Sequence, residues 1–144
     1  MNHLNSILLE GVVCSQPEWK RAGRSGFALF SIASHRYYRT KDTPEDEWED
    51  EVLFMEVLAW SQLGRKCTEL LDKGTAVKVI GRLRQYSYLP KDGEKKAVRT
   101  SIVARHIELK LTDRAAGAQQ DSVTIDEEQG EAGELSEPIV LYEY

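Results

Sequence analysis

The chain has 144 residues, enough for one domain with a single sizeable core and a tail, and no run of about 18 apolar residues that would cross a membrane as a helix. Its two cysteines, Cys14 and Cys67, lack CxxC spacing, which argues against a disulfide framework or a cysteine zinc site. Together with the lack of a basic-then-apolar leader, they suggest a cytoplasmic protein with reduced thiols. The net charge of −5 hides an uneven distribution, because residues 113–144 alone hold nine acids against one base, Arg114.

In chain order, residues 4–14 predict a first strand, with Gly11 read as a bulge. After turn-rich residues 21–26, a second strand is predicted over 27–38. The third, 51–60, alternates clearly: Leu53, Met55, Val57 and Ala59 form an apolar face, while Phe54, Glu56, Leu58 and Trp60 form the other, where the carboxylate argues against full burial. Residues 61–73 place Leu63, Cys67, Leu70 and Leu71 on one stripe of an amphipathic helix, with Ser61 as a candidate cap and Gly74 in the C′ position.

The fourth strand, 75–89, is the most informative element. Successive strand side chains point to opposite faces, so Val77, Val79, Gly81 and Leu83 suit a core. The other face carries Lys78, Ile80, Arg82, Arg84, Tyr86 and Tyr88, cations running into rings. A turn centred on Asp92-Gly93 leads to a fifth strand over 96–111. Alternation alone would also permit another small barrel, but the helix placement favours an all-β fold class: a five-stranded OB-fold barrel with one helix between strands 3 and 4, spanning 1–111, followed by an acidic C-terminal tail over 112–144. The tail is polar and poor in rings until its tip, so disorder or weak structure is expected there. The tip gathers Ile139, Val140, Leu141, Tyr142 and Tyr144 into a candidate docking segment; a terminal strand paired to this or a neighbouring barrel is the alternative.

Residues 1–112 hold 18 Lys/Arg against 15 Asp/Glu, and seven of those acids fall within 42–51. A basic body beside segregated acidic segments suits a nucleic-acid binder. Guanidinium groups and rings side by side can hold a phosphate backbone and stack unpaired bases. Tyr38 with Arg36 and Arg39 repeats the ring–cation theme, although strand parity turns Tyr38 inward with Phe30 and Ile32. Phe54 faces either bases or a second subunit, and Trp60, bordering the helix, faces either bases or the core. Trp19 is read as structural, and Trp48 sits among acids that repel phosphate. The histidines His3, His35 and His106 pair with no nucleophile, and no phosphate loop occurs, so neither an enzyme nor a cofactor or metal site is expected.

The ordered series Asn5-Ser-Ile-Leu-Leu-Glu-Gly11, Gln16-Pro17-Glu18, residues 27–39, and Lys73-Gly74 through Val77, Val79 and Gly81-Arg82-Leu83 resembles the bacterial-type single-stranded DNA-binding proteins over residues 3–111. The resemblance implies base stacking on Tyr38, Phe54, Trp60 and Tyr88 and a homotetramer. It also implies a role in replication, recombination and repair, with replication and repair proteins as partners of the tail and a nucleoid-associated location in the cytoplasm. Two departures stand out. Residues 42–51 are dense in carboxylates where the family's hairpin often contacts DNA, and the family's Asp-rich tip ending in Pro-Phe is replaced by Glu137-Pro-Ile-Val-Leu-Tyr-Glu-Tyr144. A primosome-type OB-fold module that chiefly binds protein is the alternative function. An RNA-binding barrel also fits the stacking surface, but not the helix placement.

Overall fold

In the computed structural model, residues 1–93 and 95–110 are described in full, together with the backbone of 123–126. The strands are β1 (Ile7–Val13), β2 (Glu18–Ala22), β3 (Ser25–Tyr38), β4 (Glu49–Trp60), β5 (Ala76–Tyr88), β6 (Ala97–Lys110) and β7 (Val123–Asp126), with helix α1 (Ser61–Leu70) between β4 and β5. Pairing runs β1–β5–β6–β4–β3, and β3 returns to β1 through Val12↔Ala33 and Val13↔Ile32. The five strands thus close into a barrel, with the helix where the OB-fold places it. All of these pairings are antiparallel except β4 with β6.

The alternation of β5 is realised as far as Gly81, but Leu83, expected to face the core, is 38% exposed, because the strand runs on beyond the core there. Val77 and Val79 are fully buried, and they join Val13, Phe30, Ile32, Val57, Ile102 and Ile107 in a core fed by all five barrel strands. Each such side chain contributes about 1.5–3 kcal/mol through removal from water. α1 closes one end of this core with Leu63 and Cys67, and Leu71 follows them. Between Ile80 and Gly81 the β5–β6 register shifts: Ile80 pairs with His106 but Gly81 with Ala104, leaving Arg105 as the extra residue of a bulge. Gly81 is required at that crossing, because a Cβ there would lie 2.1 Å from the Val103 carbonyl oxygen.

Several local expectations are corrected. Gly11 is no bulge: it pairs with Val77 in an unbroken register, and the constraint is a Cβ position 2.7 Å from the Ala33 carbonyl oxygen. The N-cap of α1 is Trp60, with no side-chain cap bond, and the Ser61 hydroxyl pairs with that of Ser25 at 3.0 Å. The helix ends at Leu70, before Gly74. Gly74, at φ 100°, belongs to the following turn and donates its N–H to the Val13 carbonyl at 2.7 Å. Leu53 is exposed because β3 and β4 run on together as a two-stranded arm beyond the barrel.

β2, which the sequence did not reveal, forms a hairpin with β3 from Glu18↔Leu29 to Ala22↔Ser25. Its Trp19 packs on Gly26 and Gly64, with the Arg65 guanidinium 5.0 Å above the ring. β7, within the segment expected to be disordered or weakly structured, pairs with β6 from Leu109↔Val123 to His106↔Asp126, beyond the short parallel pairing with β4.

Candidate nucleic-acid interface

Paired residues on neighbouring strands share a face. Arg82 pairs with Val103, Arg84 with Ser101, Tyr86 with Arg99 and Tyr88 with Ala97, and across the parallel junction Glu56 pairs with Ser101 and Leu58 with Val103. The outer face of β5–β6–β4 therefore carries Arg82, Arg84, Tyr86 and Tyr88 beside Arg99, with Phe54, Glu56, Leu58 and Trp60 on the far strand.

Glu56, unassigned from the sequence, is the hub of this face. Its side chain is only 14% exposed. It accepts hydrogen bonds from the Tyr86 hydroxyl at 3.1 Å and from the Ser101 hydroxyl, and it lies 3.6 Å from the Arg99 guanidinium. Arg99, also unassigned, lies 4.9 Å over the Tyr88 ring, and the Tyr86 and Tyr88 centroids are 6.4 Å apart. One carboxylate and one guanidinium thus orient both rings. Burial, and then the Glu56 charge, push the Tyr86 hydroxyl above its ordinary pKa, so it stays a neutral donor. The signal available in the sequence was a Glu set within the apolar run from Val52 to Trp60, where a carboxylate demands partners when enclosed.

Burial, followed by the neighbouring charges of Arg84 and Arg105, lowers the pKa of Arg82. Three guanidinium groups crowded at one place raise the local positive potential, and an anion there would relieve their mutual repulsion.

The other sequence-assigned residues are placed differently. Trp60 is 7% exposed and packs with its ring 5.0 Å from Phe27. With Ala22, Leu58 and Val103 it forms a second, outer core, so it is the floor of the face and offers no open ring. Phe54 is 67% exposed at the base of the arm and stands two residues before Glu56 on the same face. Lys78 is set apart in an ion pair with Glu108 at 3.2 Å, and Glu108 also meets His106 at 3.0 Å. Tyr38 and Arg36 lie on the opposite face of the arm, paired in register with Glu49 and Glu51. Arg39 lies 4.4 Å over the ring of Trp48. The structure therefore brings together Arg82, Arg84, Tyr86 and Tyr88 with Phe54 at the margin, and separates Tyr38, Arg36, Arg39 and Lys78 from them. Ile139, Val140, Leu141, Tyr142 and Tyr144 lie outside the described residues.

Among the described residues no three His, Cys, Asp or Glu side chains converge as a metal site, and no helix is long and apolar enough to cross a membrane.

Comparison with known proteins is consistent with this geometry. The single-stranded DNA-binding protein 2 of Chlorobaculum tepidum is 27% identical over 146 residues, covering all of this chain and 96% of that protein. A single-stranded DNA-binding protein of Paenarthrobacter aurescens is 40% identical over 95 residues, 65% of this chain, and the match spans about half (54%) of that longer protein. Among solved structures, the small single-stranded DNA-binding protein of Streptomyces coelicolor superposes with a TM-score of 0.60 at 25% identity, covering 77% of this chain and 97% of that one. The Plasmodium falciparum SSB in complex with ssDNA has a TM-score of 0.63 at 24% identity over 72% of this chain and 89% of that one, a likeness of fold. Residues 4–110 match the Single-strand binding protein family, and with a barrel and helix of this order the chain belongs to that family.

Proposed function

We propose that this protein binds single-stranded DNA without sequence preference, through phosphate contacts from Arg82, Arg84 and Arg99 and base stacking on Tyr86, Tyr88 and Phe54. The observation that carries the reading is the interleaving of guanidinium groups and rings on one open sheet face, with Glu56 holding the rings in place. Every base has a π-face, so such a platform tolerates any sequence. The names of the family relatives support the same ligand. No catalytic role is assigned.

The proposal extends to protection of single strands during replication, recombination and repair in the cytoplasmic nucleoid, which membership of the family supports, with the apolar and aromatic tip at 139–144 as the partner-docking segment. Assembly into a homotetramer is part of the proposal. β1 meets β3 only at Val12 and Val13, so its edge over 7–11 has no strand partner among the described residues, and Leu8 and Val12 are exposed beside it.

The three tryptophans are poor reporters: Trp60 is buried in the outer core, Trp19 lies beneath α1, and Trp48 is on the arm under Arg39. The test is therefore fluorescence anisotropy of an end-labelled oligo-dT of about 35 nucleotides against a labelled duplex. Preferential binding of the single strand, weakened by salt and reduced by Phe54→Ala with Tyr88→Ala, is expected. Equal binding of the duplex, or an undiminished double variant, would refute the reading.

A further inference from the structure

The arm formed by the distal halves of β3 and β4 holds three Lys/Arg against seven Asp/Glu over residues 35–51. Two of its basic side chains, His35 and Arg36, already meet carboxylates across the ribbon, and Arg39 lies over the Trp48 ring. His35 Nδ1 meets the Asp50 carboxylate at 3.0 Å, and Arg36 Nη1 meets Glu51 Oε2 at 3.3 Å. Glu49 accepts from the Thr43 hydroxyl at 2.8 Å and from the Thr40 hydroxyl at 3.3 Å. The register sets Arg36 against Glu51 and Tyr38 against Glu49 on one face of the arm, and Tyr37 against Asp50 on the other, where Asp50 also meets His35, so each face of the arm has its ring and cation residues opposed by carboxylates. A hydrogen bond to Glu49, followed by its charge, raises the pKa of the Tyr38 hydroxyl, and Thr43 and then Tyr38 lower that of Glu49, as expected of occupied partners.

We propose that Glu49, Asp50 and Glu51 act as built-in surrogates for DNA phosphates. They occupy Tyr38, His35 and Arg36, so that a bound single strand is confined to the β5–β6–β4 face and enters the arm only by displacing them. This rests on the single-strand reading above and determines the path and footprint of the strand. The exposed ion pairs are individually weak, so the arm stays exchangeable. Its net negative charge sets the resting preference.

The test compares the full-length protein with Asp50→Asn/Glu51→Gln, and with Glu51→Gln alone as a milder second variant, by anisotropy with labelled oligo-dT across a salt series. The double variant is expected to bind roughly 3- to 10-fold more tightly at low salt, with a log–log salt slope steeper by about 0.7 for each phosphate newly engaged. Glu51→Gln alone should shift in the same direction. Adding Arg36→Ala to the double variant should return affinity to the wild-type value, because the freed guanidinium carries the gain. Wild-type binding with an unchanged double variant would overturn the surrogate role and leave the single-strand reading standing. A gain that survives Arg36→Ala would also overturn it, since a general charge effect would then suffice. Absence of binding by every variant and the wild type would refute both.

Discussion

Phe54 and Trp60 stand on the same face of β4, six residues apart, and their truncations should have opposite consequences. Trp60 is 7% exposed, rests against Phe27 at 5.0 Å and belongs to the outer core. Trp60→Ala removes a buried ring and leaves a cavity, a change that costs about 3–5 kcal/mol. For a barrel of this size that lowers the melting temperature by roughly 10–20 °C. Phe54, at 67% exposure, holds little of the fold, so Phe54→Ala should change stability by no more than about 0.5 kcal/mol. Its loss should instead cost about 1–3 kcal/mol of stacking, which is about 5- to 150-fold in Kd. Thermal melts by circular dichroism and anisotropy titrations on both variants separate the two effects. A Trp60→Ala protein that melts like wild type but loses as much affinity as Phe54→Ala would refute the assignment of Trp60 to the floor of the face.

Three further outcomes are expected. Gly81→Ala sets a methyl 2.1 Å from the Val103 carbonyl, so either strand must move at the β5–β6 bulge. The cost should be about 3 kcal/mol in urea denaturation, and a wild-type midpoint would contradict the close approach. Burial pushes the Cys67 thiol up to about 12, so at pH 8 it holds its proton and should resist iodoacetamide until the chain unfolds, whereas the half-buried Cys14 should react; mass spectrometry of native and denatured protein tells them apart. Glu108 is held below the ordinary carboxylate range by its hydrogen bond from His106 and then by Lys78. A depressed folded-state pKa stabilises above the unfolded-state value and loses that contribution as pH falls through the folded one. The urea midpoints of wild type and Glu108→Gln should therefore differ at pH 6 and converge toward pH 3; a constant gap would contradict the pairing.

Much of the barrel was legible because β5 is two-faced over its first half, with Val77 and Val79 buried, and the helix falls between the third and fourth barrel strands. The same alternation put Arg82, Arg84, Tyr86 and Tyr88 on one surface, where the structure also has them. Parity could say that Trp60 shares a face with Phe54, but not that the β2–β3 hairpin covers one end of that face. That cover comes from Ala22 and Phe27, far from Trp60 in sequence. β2 itself was missed because its residues are mostly charged and its one anchoring ring, Trp19, is received by Gly26 across the hairpin and by Gly64, distant along the chain. Glu56 and Arg99 were left without a role for a related reason: their partners lie on other strands and meet them only when β4, β5 and β6 are side by side.

The strand segments 57–60 and 102–104 are covered on both sides, by the barrel core within and by the outer core without, while the arm beyond Met55 has neither. This divides the molecule mechanically. Amide exchange should be slowest where the sheet is clamped between two apolar layers and fastest along the arm, within the same sheet and, on β4, along a single strand. A ligand lying across the boundary would meet an anvil at one end and a spring at the other. The stiff end can fix the position of a base to within the play of a packed side chain, and the compliant end can follow the uneven course of a strand that has no helix of its own.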